Sequence, residues 1–224
     1  MILKNCYLID GISDTPIENA LLVIYNGYIK YSGQYSPEII EEYKHLDVVD
    51  IMGKTVMPGL IDAHVHLTMD GAPNNFEMMI MTTSNKATIL GVKRAQRNLE
   101  AGFTTIRCCG EKGEIDIDIR NAINDGTIIG PRILASGKAL TITGGHGDMF
   151  PRGMEIDGVA EVCDGIDSVV RTARKRIKRR VDNIKLMATG GGMSPGPATV
   201  SQLNEEEMRA AVVEAEKNGI CTAA

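Results

Sequence analysis

MPGLIDAHVHL, the stretch from Met57 to Leu67, marks the point where the pattern of the sequence changes. Before it, short apolar runs are separated by turn residues. After it, apolar runs of strand length alternate with stretches of helical periodicity. Strands that are buried on both faces of a parallel sheet have such continuous apolar runs. The sequence therefore predicts a small β unit over residues 1–56 and an α/β unit over residues 57–224.

Residues 1–56 are expected to form a small β-sandwich segment. Asn26 and Gly27 lie between the apolar runs Leu21–Tyr25 and Tyr28–Tyr31. Both central residues of a type I′ turn need positive φ, which the Asn-Gly pair tolerates well. A tight hairpin is therefore predicted at this point. The other apolar runs of the segment are Ile2–Leu3, Tyr7–Ile9 and Val48–Ile51.

After Met57 the pattern predicts alternating strands and helices. Asn204 and Glu207 have the spacing of a capping box at the start of one helix, and Gly102 and Gly219 lie where helices would end. Positions with helical spacing are Thr88, Val92, Ala95 and Leu99, and then Met208, Ala211, Val212 and Ala215. The predicted strands are Leu60–Leu67, Phe103–Cys109, Arg132–Ser136, Ile184–Thr189 and Ile220–Ala224.

Repeated βα units with right-handed crossovers build a parallel sheet, either open and doubly wound or closed as a barrel. The predicted fold class is α/β: a partial (β/α)8 TIM barrel with about the first five strands, preceded by the small N-terminal β segment. Half a barrel leaves an open edge. We therefore expect poor solubility as a free monomer unless an oligomer or an extra chain covers that edge.

Composition excludes several classes of partner. Lys and Arg total 24 against 29 Asp and Glu, so a net charge of -5 favours neither nucleic acid nor an anionic membrane. The basic stretch Arg171–Arg180 lies over an apolar helical stripe, which indicates a helix with a solvated basic face. The five cysteines form no Cys-x-x-Cys pair, and no run of ~18 apolar residues occurs, so we expect a reduced, cytoplasmic protein.

His64 and His66 lie two residues apart at the end of a predicted strand, so both imidazoles should point to the same side. In a parallel barrel, active sites are built at this end of the strands. Two neutral imidazoles suit a divalent transition metal such as zinc. The alternative is a pair of strand histidines that bond to backbone or water.

Lys185 lies inside the apolar run Ile184–Thr189. Burial disfavours a cation, so the pKa of Lys185 should fall below the ordinary ~10.4 and leave some neutral amine. A neutral amine can react with carbon dioxide to give a carbamate, whose two oxygens can bridge two metals. The alternative is a lysine that extends to the barrel end or pairs with an acid. A third candidate, His146, lies in the glycine-rich stretch Thr141–Asp148, where it could also merely hold its own turn together.

The run PGLID at residues 58–62, followed after Ala63 by His64, Val65 and His66, resembles the first-strand signature of the amidohydrolase superfamily. The run KLMATGG that begins at Lys185 resembles the fourth strand of its prolidase-like and imidazolonepropionase-like branch. The resemblance implies a metal-dependent amidohydrolase with two zinc ions. His64, His66 and a bridging carbamate on Lys185 would bind these ions, which gives Lys185 a catalytic role. It also implies that His146 donates a hydrogen bond to the substrate.

The implied reaction is hydrolysis of a C–N bond in a small amide: an Xaa-Pro dipeptide, an N-acyl amino acid or a cyclic amide. Such enzymes would act as homo-oligomers, without nucleic acid or membrane. Family members continue with a histidine at strand five, another at strand six and an aspartate at strand eight, whereas this sequence stops at Ala224. The 224-residue chain alone is therefore expected to be an inactive, truncated barrel. A one-metal deaminase and a non-catalytic scaffold are the alternatives.

Overall fold

The computed structural model describes residues 1–71, 73, 75–151, 153–154, 156–192, 194 and 197–224. The chain divides into two compact units, Met1–Gly59 and Leu60–Ala224. Among the described residues, no helix is both long enough and apolar enough to span a bilayer.

The first unit is built on one sheet with the strand order β3-β2-β1-β4, and β5 pairs with β1. Asn26 (φ 52°) and Gly27 (φ 76°) form the predicted hairpin turn, since Tyr25 pairs with Tyr28 across it. The hairpin prediction is therefore confirmed. The elements are β1 (Ile2–Leu8), β2 (Ile17–Tyr25), β3 (Tyr28–Gln34), α1 (Pro37–Glu42), β4 (Val48–Asp50) and β5 (Thr55–Val56).

The second unit alternates strands and helices. Its first half comprises β6 (Leu60–Val65), α2 (Asn75–Met81), α3 (Ser84–Glu100), β7 (Phe103–Cys108), a 3-10 turn (Lys112–Glu114) and α4 (Ile115–Asn124). Its second half comprises β8 (Arg132–Leu134), β9 (Ala139–Thr141), β10 (Ala160–Val162), α5 (Ile166–Lys178), β11 (Asn183–Lys185), α6 (Glu205–Glu216) and β12 (Cys221–Ala223).

All strand pairs of the second unit are parallel. The described strands form three separate sheets, β6-β7-β8, β9-β10 and β11-β12, so no closed sheet is present among them. Two contacts bring β11 beside its neighbours: the Ala135 carbonyl accepts from the Asp182 and Asn183 N–H groups, and Leu140 bridges Leu186. The chain thus has a mixed α/β fold in which successive strands end on the same side.

The helices cover one apolar core. Ala95 of α3, Ile119 of α4, Ala173 of α5 and Ala211 of α6 are buried in it together with Ile106 of β7. Small residues on the inner faces let these helices lie close to the strands. The predicted helix ends are found, because Asn204 and Glu207 form a capping box and Gly102 and Gly219 take positive φ of 94° and 66°.

One prediction about the strands is wrong. The stretch Leu60–Leu67 was expected to be buried on both faces, yet Leu60 is 43% and Ile61 is 69% exposed. The physical reason is that β6 is the edge strand of its sheet and its apolar run also faces outward there. The short strands β9 and β10 and helix α4 were not foreseen.

Candidate metal centre

The predicted site residues come from three strand ends. His64 and His66 lie at the end of β6, and Lys185 is the last residue of β11. His146 follows β9 in a turn-rich loop. Because parallel strands end on the same side, these residues face one region of the molecule.

A bulge in β6 sets the direction of the first histidine. Asp62 pairs with Ile106 and Val65 pairs with Cys108, so β6 has one residue more than β7 between these pairs. A bulge bends its strand and re-aims the side chain at that point. The Asp62 carboxylate accepts from the His64 N–H at 3.0 Å and holds the bulged backbone. The His64 and His66 rings lie 5.4 Å apart between centroids, inclined at 59°.

The tautomer of His66 follows from its hydrogen bond. Its Nδ1 lies 2.8 Å from the Gly110 carbonyl oxygen. A carbonyl oxygen only accepts, so Nδ1 carries the proton and Nε2 keeps its lone pair. Metal-binding histidines are commonly oriented in this way by a carbonyl on the other ring nitrogen. His66 is therefore prepared to act as a ligand through Nε2.

The site favours the neutral forms of its basic groups. Burial lowers the pKa of His64, His66 and His146, and the charge of Lys185 acts in the same direction on all three. Burial also lowers the pKa of Lys185, with a further contribution from Arg107. Neutral imidazole is the form that binds metal, and neutral amine is the form that reacts with carbon dioxide.

Lys185 is buried, with 6% of its surface exposed. It takes part in none of the salt bridges found among the described residues, so the alternative of a lysine paired with an acid finds no support there. The sequence expectation of a lowered pKa agrees with this environment.

His146 joins two loops. Its N–H donates to Gln202 Oε1 at 2.8 Å, and its Nδ1 lies 2.7 Å from Ser194 Oγ. A Cβ at Gly191 would overlap the imidazole ring, so glycine is needed at that position. Asp148 accepts from the Gly144 N–H at 2.8 Å and stabilises the turn itself. The ring is thus held by contacts from beyond its own loop.

Sequence reasoning missed two buried acids beneath the site. Glu111 accepts from the Leu67 N–H and from the Thr68 N–H, the latter at 2.9 Å. Asp116 accepts from the N–H groups of Ser136 at 2.7 Å and Gly137 at 3.0 Å. The pair thereby connects the segments that follow β6, β7 and β8.

Burial and the charge of Asp116 raise the pKa of Glu111 to about 8, and burial raises the pKa of Asp116 as well. Glu111 therefore keeps its proton to a higher pH than an exposed glutamate would. The sequence held one signal for Glu111, an acid directly after Gly110 at the end of a predicted strand. Nothing local revealed that it would be buried.

The side chains in the described ranges that could bind a metal are of a suitable chemical type but small in number. No three His, Cys, Asp or Glu side chains converge on one point within the described ranges. His64, the free Nε2 of His66 and a carboxylated Lys185 are nitrogen and oxygen donors of the kind that zinc accepts. A 370 Å³ pocket is lined by His64 and His66 together with Asp62, Asp70 and Arg94.

Comparison with known proteins identifies the family of the chain. The amidohydrolase family model matches residues 55–224. Ochratoxinase from Aspergillus niger is 32% identical over 218 residues, which covers 89% of this chain and 45% of ochratoxinase. A prolidase complexed with N-methylphosphonate-L-proline has a TM-score of 0.85 at 32% identity, covering 99% of this chain and 54% of that chain. An Xaa-Pro dipeptidase with bound methionine has a TM-score of 0.82 at 32% identity, with coverages of 99% and 55%.

The chain spans about half the length of these relatives. The family match extends from the strand before the two histidines through the lysine strand to the last residue. On this match, the chain belongs to the amidohydrolase family.

Proposed function

We propose that this chain is part of a metal-dependent enzyme that hydrolyses a C–N bond in a small amide. The observation that carries the proposal is the hydrogen bond from His66 Nδ1 to the Gly110 carbonyl, which leaves Nε2 free beside His64. The match to the amidohydrolase family supports a hydrolytic role for this arrangement.

His64, His66 and Lys185 are the residues that would hold two divalent ions, which we propose to be zinc. Such ions supply Lewis acidity, which activates water and polarises a carbonyl. The protein contributes orientation: Gly110 fixes the ring of His66, and the Asp62 carboxylate fixes the backbone at His64.

We propose that Lys185 is carboxylated. Its neutral amine attacks carbon dioxide, forms a nitrogen–carbon bond and releases one proton. The lowered pKa of Lys185 supplies the neutral amine. The product is an anion whose two oxygens would serve as metal ligands.

The substrate classes that the proposal includes are Xaa-Pro dipeptides, N-acyl amino acids and cyclic amides. Among similar proteins, one is an Xaa-Pro dipeptidase, one is a prolidase and one is an ochratoxinase. His146 would donate a hydrogen bond to the substrate, since Ser194 and Gln202 hold it in place.

The wider architecture is also a proposal. The successive parallel strands β6, β7, β8, β11 and β12 are consistent with the first five strands of a (β/α)8 barrel over residues 57–224, after a small β segment over residues 1–56. We further propose a cytoplasmic homo-oligomer; its five cysteines are unpaired.

The test uses the natural gene product that carries this chain. Metal content by plasma emission and hydrolysis of the three substrate classes are measured for His66→Ala and for the matched control His45→Ala, an exposed histidine of the first unit. We expect about two zinc ions per chain in the wild type and the control, and loss of metal and activity in His66→Ala. Equal metal retention in both variants would contradict the proposal.

Carboxylation is tested separately with 13C-labelled bicarbonate. The carbamate carbon should give a resonance that Lys185→Ala lacks and that the exposed-lysine control Lys86→Ala retains. An identical spectrum for both variants would overturn the carbamate.

A further inference from the structure

Arg107 lies inside β7, one strand away from the two histidines. Its neighbours Ile106 and Cys108 are buried in the core beneath the helices. Successive side chains of a strand point to opposite faces, so Arg107 points away from that core. Its Nε donates to the Ala63 carbonyl at 2.9 Å, directly beside His64.

The charge of this guanidinium reaches the candidate metal centre. The Ala63 carbonyl that its Nε contacts belongs to the residue directly before His64. Arg94, Arg120 and Arg176 each form a salt bridge, whereas none of the salt bridges among the described residues involves Arg107. Arg107 is therefore a cation beside the site that forms no salt bridge with a carboxylate in the described part of the chain. Such a cation attracts an anion to the site.

The geometry points to Arg107 as the binding group for the α-carboxylate of the substrate. This inference rests on the proposed function. Nε donates to Ala63, and the guanidinium also contacts the side chain of Cys109. The remaining N–H groups of its two terminal nitrogens can donate to the two oxygens of a carboxylate. In a dipeptide or an N-acyl amino acid, one carbon separates the carboxylate from the scissile nitrogen. A carboxylate site must therefore lie next to the reacting bond, as Arg107 lies next to His64.

This assignment narrows the substrate class. Xaa-Pro dipeptides and N-acyl amino acids carry the required carboxylate, whereas a simple cyclic amide does not. The competing role for Arg107 is to stabilise a carbamate on Lys185, which would help all amide substrates equally.

The experiment compares two substrates on the natural gene product: an N-acyl amino acid and the same molecule with a terminal carboxamide. We expect Arg107→Met to lower kcat/KM about 100-fold for the carboxylate substrate. For the carboxamide the loss should stay under about threefold, so that the preference for the carboxylate collapses. Arg107→Lys should keep part of the preference, since it retains charge but not the paired donors. Arg132→Met, an exposed arginine at the start of β8, is the matched control.

A binding measurement separates this inference from the proposed reaction. Titration calorimetry on metal-free protein should detect the amino acid product in the wild type, and not its amide or the Arg107→Met variant. Carboxylate-selective binding that depends on Arg107 supports the subsite even if neither substrate is hydrolysed, an outcome that would count against the reaction alone. Equal losses for both substrates in Arg107→Met, or unchanged product binding, overturn the subsite.

Discussion

Gly110 is the residue on which the orientation of His66 depends. Its carbonyl accepts from His66 Nδ1, and its N–H donates to Ser136 Oγ at 2.9 Å. Its φ is 117°, and an added Cβ would lie 2.9 Å from the Val159 carbonyl oxygen. A side chain here would therefore strain the backbone and displace the carbonyl that fixes the tautomer of His66.

We expect Gly110→Ala to destabilise the protein by about 1–3 kcal/mol and to weaken zinc binding. Gly126→Ala is the control, since Gly126 also has positive φ (79°) but no atom within 4 Å of the added Cβ. It should cost stability alone. Denaturant unfolding and a zinc titration distinguish them; unchanged zinc affinity in Gly110→Ala would remove Gly110 from the site.

The buried acid pair predicts a pH dependence of stability. Glu111 has a pKa of about 8 in the folded state, against ~4.3 when unfolded. Between these values the folded protein binds more protons than the unfolded chain, so stability falls as pH rises through this window. Glu111→Gln cannot titrate and should show a shallower decline, by up to about 1.4 kcal/mol per pH unit. Urea unfolding of metal-free protein at pH 5, 7 and 9 measures it; parallel curves would contradict the raised pKa.

Among the secondary-structure elements, α5 and α6 share a capping residue, Glu207, at their N-termini. Glu207 accepts from the Asn204 N–H at 2.9 Å and from the Gly165 N–H at 2.8 Å, and Gly165 is the N-cap of α5. One carboxylate therefore satisfies donors at both helix starts.

We expect Glu207→Ala to destabilise the protein by roughly 2 kcal/mol and Asn204→Ala by about 1 kcal/mol, because the first change removes caps from two helices. Glu206→Ala, in the same turn but exposed, should change stability by less than about 0.5 kcal/mol. Thermal unfolding of the three variants gives the order. A Glu207→Ala effect no larger than that of Asn204→Ala would show that the link to Gly165 adds nothing.

Elements with local signals were predictable, and those shaped by distant contacts were not. The Asn26 hairpin and the Asn204 capping box depend on neighbouring residues, so sequence alone identified them. Helix α4 was not predicted because isoleucine alternates with aspartate from Ile115 to Ile119, and this period of two is typical of a strand. Asp116 is nevertheless buried, since its carboxylate accepts from Ser136 and Gly137 across the core.

At the scale of the whole molecule, the candidate residues of the site also differ in how easily the sequence reveals them. His64, His66 and Lys185 lie in apolar runs of the sequence, where a polar residue is conspicuous. Arg107 also lies in one, but its apolar neighbours gave no indication that it would lack a salt bridge among the described residues. Glu111 and Asp116 required knowledge of which strand ends meet, and that is a property of the assembled parallel strands.

The exposed face of β6 predicts how the 224-residue chain behaves alone. Ile61 is 69% exposed on a strand that is the edge of its described sheet. An apolar edge strand is a template for pairing with a second copy. Burying one isoleucine contributes about 1.5–3 kcal/mol to the free energy of association. Ile61→Lys should therefore raise the dissociation constant of self-association at least about tenfold. Ile12→Lys, in a turn at 90% exposure, should leave it unchanged. Sedimentation velocity measures both, and equal association of the two variants would mean that contacts other than the β6 edge hold the copies together.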